Sequence, residues 1–287
     1  MPPNRWREER VSKRPTMTFF KFTLALAGLA IALLIVIVFS KTPAQDRDWK
    51  PDYLRLPEVQ AEGDLYRINQ IRDFRFAPNG DILQNRYLDR EYDLTNLKSL
   101  WLGISHFTDY GIAHTFLSFE FTNQPPLVVS VEARMEQGES YSPVRGLMRE
   151  YELIFLLTTE QDSIGSRLHP RAERVLFYPL DLSPQTQKNL FRALMQRVAD
   201  LSAAPEFYNT LTDNCTSSLT AHATGLSWFQ RWLDYRLLLP GFSDGLAQEE
   251  GLLPQDIPLE DLRARALLKP ESAPLDDPGF SALIRMD

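Results

Sequence analysis

LKSLWLGISHF (97–107), HTFLSFEF (114–121) and LVVSVEA (127–133) decide the fold class of this 287-residue chain. Each stretch is short and rich in Phe, Val, Ile and Leu. TDYG (108–111) and NQPP (123–126) separate them, and these are residues that turn a chain. They read as consecutive strands of an antiparallel sheet. Alternation puts Leu117, Phe119 and Phe121 on one face, and His114, Phe116, Ser118 and Glu120 on the other. In the next strand Leu127, Val129, Val131 and Ala133 oppose Val128, Ser130 and Glu132. A connection of three or five residues brings the two polar faces together, whereas one of four does not. With matched faces, Ser130 and Glu132 lie near His114. Glu132 then either orients the imidazole or remains a solvated strand residue.

Working outward, residues 184–203 (PQTQKNLFRALMQRVADLSA) predict a helix. Ser183 stands at its N-cap, Pro184 in its first turn, and Leu190, Leu194, Val198 and Leu201 recur at helical spacing. Residues 144–158 fit a helix or a helix followed by a strand, and Asn79-Gly80 marks a turn within a mixed stretch, 64–92.

Before this domain lies FTLALAGLAIALLIVIVF (22–39), 18 residues without charge or proline. At ~1.5 Å per residue it crosses most of a ~30 Å hydrocarbon layer. A cleaved signal peptide would have a shorter apolar run and a small-x-small site, and SKTPAQD offers neither. We expect a retained anchor over 22–40 and a basic cytoplasmic segment over 1–21. A linker follows over 41–64, then an exported domain over 65–265. A tail rich in proline and acid, 266–287, is expected to be loosely held. The basic N-terminus places the remainder across the membrane.

Seven Lys/Arg face two Glu in residues 1–41, yet the whole chain carries −7. The exported part is therefore strongly acidic, which argues against nucleic acid as a partner. Apolar residues make up 44% of the chain, ample for a packed core, and one cysteine excludes an internal disulfide. CxxC and HExxH spacings and glycine-rich phosphate loops are absent, so no cofactor or metal is expected.

That cysteine, Cys215, lies in FYNTLTDNCTSSL (207–219), after a cluster of turn and cap residues and before a stretch that Gly225 would end as a helix. In the first turn of a helix, unpaired N–H groups and the dipole favour the thiolate, the nucleophilic form. A small buried hydrophobe is the plain alternative. A thiolate nucleophile needs a base, and there are four histidines. His222 lies seven residues on, ~10.5 Å along a shared helix and out of reach. His169 reads as a surface loop residue. His106 and His114 belong to the strands, and His114 points away from the greasier face. The aromatics Trp228, Phe229, Trp232 and Tyr235 either pack in the core or dip into a membrane interface.

A strand-borne histidine roughly a hundred residues before an Asn-Cys at the head of a helix resembles the circularly permuted NlpC-type, papain-like thiol folds. The closer likeness is to the Lnb N-terminal periplasmic domain family. HTFLSFEF (114–121), SVEARMEQGESYSP (130–143), REYELIFLLTTEQD (149–162), PEFYNTLTDNCTSSL (205–219) and DYRLLLPGFSD (234–244) carry that likeness. The resemblance, which covers roughly 65–265, implies a periplasmic catalytic domain and an α+β fold, an antiparallel sheet packed on helices, with the Cys215 helix against the strand of His114 and the two as a catalytic pair. It also implies lipoprotein N-acylation at the outer face of the bacterial inner membrane. The single apolar span is a departure. The expected function is a membrane-tethered periplasmic thiol acyltransferase. It would move an acyl chain from a phospholipid or lipoprotein ester to an amine through a thioester on Cys215, with His114 and Glu132 in support. A cysteine hydrolase of envelope amides and a non-catalytic binding or assembly module are the alternatives.

Overall fold

The computed structural model describes residues 17–108, 111–212 and 234–286, in two compact units divided at Thr42/Pro43. The first holds helix α1 (Met17–Phe39). Its segment Phe20–Phe39 has a mean hydropathy of 2.9, with only 6% of the most apolar window buried. Its apolar residues run all round the helix rather than along one stripe. It is long and apolar enough to cross a membrane.

The second unit is built on β1 (Glu58–Glu62), β2 (Leu65–Arg72), β3 (Arg75–Phe76), β4 (Ile82–Gln84), β5 (Tyr87–Asp93), β6 (Leu97–His106), β7 (Ala113–Phe121), β8 (Leu127–Arg134), β9 (Glu152–Thr158) and β10 (Arg174–Pro179). Eight of these form one sheet in the order β1-β2-β9-β8-β7-β6-β10, with β5 also on β2, while β3 and β4 pair separately. Neighbours are antiparallel except β2 and β9, which are parallel. The three expected strands are β6, β7 and β8, adjacent and antiparallel. Residues 144–158 resolve into α2 (Pro143–Leu147) and then β9.

The expected 184–203 helix is α4 (Pro184–Ala203). Ser183 accepts from the Thr186 amide at its N-cap, and Pro184 needs no amide partner there. Its apolar stripe lies on the sheet face of Leu117, Phe119 and Phe121. The Phe191 ring meets Tyr66, Phe119 and Phe121 edge-on, at 5.1, 5.1 and 5.8 Å between centroids. The opposite face is covered as well. Phe116 and Val128 pack with Ile164, Leu168, Phe177 and Phe280. With both faces covered, polar side chains on β7 and β8 are buried and need partners.

Within the expected linker, 41–64, Trp49 is 4% exposed beneath the Arg134 guanidinium, 4.1 Å from its ring, and Arg47 pairs with Glu136 and Glu152. The terminal segment, expected from its composition to be loosely held, is not: Phe280 and Ile284 are buried, and Arg285 donates to Glu160. Short apolar anchors spaced among prolines and acids give no periodic signal.

Candidate active site

The connection between β7 and β8 is residues 122–126, five long, so residues of equal parity face each other, as Phe116 and Ser130 do. Continuing that register by period two sets His114 opposite Glu132. The side chains meet. His114 Nε2 is 2.6 Å from Ser130 Oγ and 3.1 Å from Glu132 Oε1, and the Ser130 hydroxyl donates to Glu132 Oε1 at 2.8 Å.

Proton counting orders this trio. Serine has one hydroxyl hydrogen, and here it goes to Glu132, leaving Oγ an acceptor towards His114. Nε2 must then carry the ring hydrogen, so neutral His114 holds its lone pair on Nδ1. Of the two nitrogens, Nδ1 is the one able to take a proton from a nucleophile.

A residue that the sequence reading missed completes the cluster. A π-helical turn, Gln161–Gly165, runs into α3 (Ser166–Leu168), which carries Arg167. Its guanidinium donates to Ser163 O at 2.8 Å and Ser163 Oγ at 3.0 Å, lies 5.2 Å from the Phe116 ring, and reaches Glu132 Oε1 at 3.3 Å. In sequence Arg167 stands among Gly, Ser and His and looks like a loop residue. Only its 6% exposure marks it out. Burial alone would raise the Glu132 carboxyl, but His114 and then Arg167 and Ser130 hold it well below the usual carboxylate range. Burial lowers Arg167, with Glu132 opposing that shift. Nearby, burial and the charges of Glu132 and Asp52 push the Tyr53 phenol up, so it stays neutral.

The same turn supplies Asp162, which grips Arg72 through two hydrogen bonds of 2.8 and 2.9 Å and accepts from the Phe74 amide at 2.8 Å. His114, Glu132, Arg167 and Arg72 border a cavity of about 550 Å³. Phe107, Ile112, Met135, Tyr141 and Tyr208 give it apolar and aromatic walls. Such a space suits a ligand with a greasy body and a polar reacting end.

The other described histidines lie elsewhere. His106 Nε2 meets Gly241 O at 3.2 Å, and burial lowers its basicity. His169 is not a free surface residue, because its Nε2 is held by Ala273 O at 2.8 Å. Tyr235 is 60% exposed rather than core. Cys215, His222, Trp228, Phe229 and Trp232 lie outside the described residues. Among the described residues no three His, Cys, Asp or Glu side chains are grouped to hold a metal.

Residues 83–241, more than half of the chain, match the family described as the Lnb N-terminal periplasmic domain. That span contains β5 to β10, α4, His114, Glu132 and Arg167, and in sequence it includes Cys215. Neither the curated proteins nor the solved structures give a match.

Proposed function

The chain belongs to the Lnb N-terminal periplasmic domain family and is envelope-associated, and on that premise we propose that it is a membrane-tethered thiol acyltransferase. Cys215 is the nucleophile, His114 the general acid and base, and Glu132 the group that orients His114. The observation that carries this reading is the fixed imidazole. Its Nε2 is committed to Ser130 and Glu132 at the border of an apolar-walled cavity.

The chemistry runs in two balanced steps. His114 Nδ1 takes the Cys215 proton, the sulfur attacks an ester carbonyl, a C–S bond forms and the C–O bond breaks. The same proton goes to the departing alkoxide. An unprotonated amine then attacks the thioester, a C–N bond forms and the C–S bond breaks. The amine proton passes through His114 to the thiolate. Glu132 stabilises the imidazolium that exists in between. The donor is a phospholipid or lipoprotein ester, and α1 acts as a single-pass inner-membrane anchor with the basic N-terminus cytoplasmic. Tethering raises the local concentration of donor ester around the site. A permuted papain-like arrangement would bring the Cys215 helix to the β7 strand.

The test is intact-mass measurement of full-length protein incubated with diacyl phospholipid and no acceptor. One acyl adduct, removed by hydroxylamine and missing in Cys215→Ala, is expected. Cys215-dependent cleavage of peptide amides without an adduct would replace acyl transfer with hydrolysis. Full function of Cys215→Ala in cells would make the protein a binding module.

A further inference from the structure

We infer that Arg167 is a positioning residue for His114: it shares the carboxylate oxygen that His114 uses, keeping Glu132 aimed at the ring while weakening its hold on the imidazolium. This rests on the reading of His114 as the working base. Three donors converge on one atom, Glu132 Oε1: Ser130 Oγ at 2.8 Å, His114 Nε2 at 3.1 Å and Arg167 Nη2 at 3.3 Å. An oxygen divided among three donors gives each less than it would give alone. With Glu132 and no arginine, a buried imidazolium would be locked in an ion pair, and a base that never loses its proton cannot accept another.

The geometry of Arg167 differs from that of a purely structural pair. Arg72 and Asp162, on the same turn, show what such a pair looks like here: two parallel hydrogen bonds and an amide on the same carboxylate. Arg167 instead spends Nη1 on Ser163, leaves its buried Nε without a hydrogen bond among the described residues, and gives Glu132 one long contact. Its guanidinium is held in place by Ser163 and by the Phe116 ring, so Glu132 is not needed to fix it.

Among the described residues, the charged and titratable groups around this corner include Tyr141 and Tyr208 on the cavity wall and Glu173, whose charge acts on Arg167. Glu132 comes from β8, Arg167 and Arg171 from α3 and the loop after it, Arg72 from β2, and Asp52 and Tyr53 from the turn before β1. Arg72 is already matched by Asp162, and Tyr53 is neutral. The ion-pair partners of Glu132 among the described residues are His114 and Arg167. Among the described residues, the charges that reach the ring through this carboxylate are therefore those of Glu132 and Arg167.

The experiment is a pH titration of full-length protein in detergent micelles with isotope-labelled histidine rings, followed by NMR. The His114 signal is assigned by its loss in a His114 variant. Arg167→Met should move the His114 midpoint upward by about one pH unit, because a cation is removed and Glu132 is released to the ring alone. Arg167→Gln, which keeps hydrogen bonds to Ser163, should move it the same way and serves if the Met variant fails to fold. Arg167→Lys should stay near wild type. In a Glu132→Gln background the Arg167→Met shift should shrink to less than about half, since the effect passes through Glu132. An unchanged or lowered midpoint in both neutral variants would overturn the inference, as would an undiminished shift without Glu132. The titration needs no turnover, so absence of an acyl adduct on Cys215 would sink the acyltransferase reading and leave this result standing.

Discussion

His114 and Ser130 meet diagonally across β7 and β8, with Nε2 and Oγ 2.6 Å apart, and the hydroxyl hydrogen points on to Glu132. Ser130 thus transmits the orientation of the carboxylate to the ring. Removing the hydroxyl leaves Nε2 with Glu132 alone at 3.1 Å. Ser130→Ala should cut turnover roughly 10-fold, the worth of about one good hydrogen bond, with little change in melting temperature. Unaltered kinetics in a correctly folded variant would remove Ser130 from the site.

A second prediction concerns the turn beneath the site. Asp162 is fully buried and is the carboxylate that Arg72 grips. Deleting it strands a buried guanidinium and an unpaired Phe74 amide. Asp162→Ala should destabilise the domain by about 3–5 kcal/mol in chemical denaturation. The double variant Arg72→Met, Asp162→Leu should recover much of that loss, because no charge is then left alone. Equal destabilisation in both proteins would show that packing, not pairing, is what Asp162 supplies.

The parts of the fold legible in the sequence are those with periodic signals. β7 and β8 alternate cleanly between turn residues, which tied the facing of His114 towards Ser130 and Glu132 to the length of the connection, and only the structure supplies the five residues that match the faces. Helix α4 was legible from its cap and its stripe. The strands of residues 58–93 were not, because their exposed faces carry charges that pair across strands. Arg67 bonds both Glu62 and Glu91 at 2.8 Å, so the sequence shows mixed charge rather than apolar alternation. Arg167 was hidden for a different reason. A buried arginine has no local signature; its burial depends on a π-helical turn and a glutamate 35 residues earlier.

The third prediction follows from the terminal segment. Phe280 is 1% exposed against the sheet face that carries Phe116, and Arg285 lies over the Phe177 ring and bonds Glu160, itself buried. Phe280→Ala should cost about 3–5 kcal/mol by urea unfolding, the usual loss for a fully buried aromatic. Deleting residues 270–287 should cost at least as much, since Glu160 would lose its cation. A midpoint unmoved by the deletion would mean that this segment adds nothing to the stability of the domain.

The last prediction is the pH dependence that Glu132 writes into stability. Its carboxyl lies below the ordinary range in the folded protein, pulled down by His114 and Arg167 against the opposing effect of burial. A depressed folded value means that the ionised form favours folding. The contribution is complete above the unfolded value near about 4.3 and fades as pH falls towards the folded one. Wild-type protein should therefore lose stability below about pH 4 that Glu132→Gln does not lose, because the amide has no proton to gain. Above about pH 5 the Glu132 carboxyl itself adds no further slope, and any remaining change in the difference there reports the His114 ring that it faces. Other carboxylates titrate in both proteins and cancel in that difference. Melting curves from pH 7 to 3 decide the matter: two parallel profiles would mean that Glu132 has no special hold on its proton, and that the cluster around His114 is looser than its distances imply.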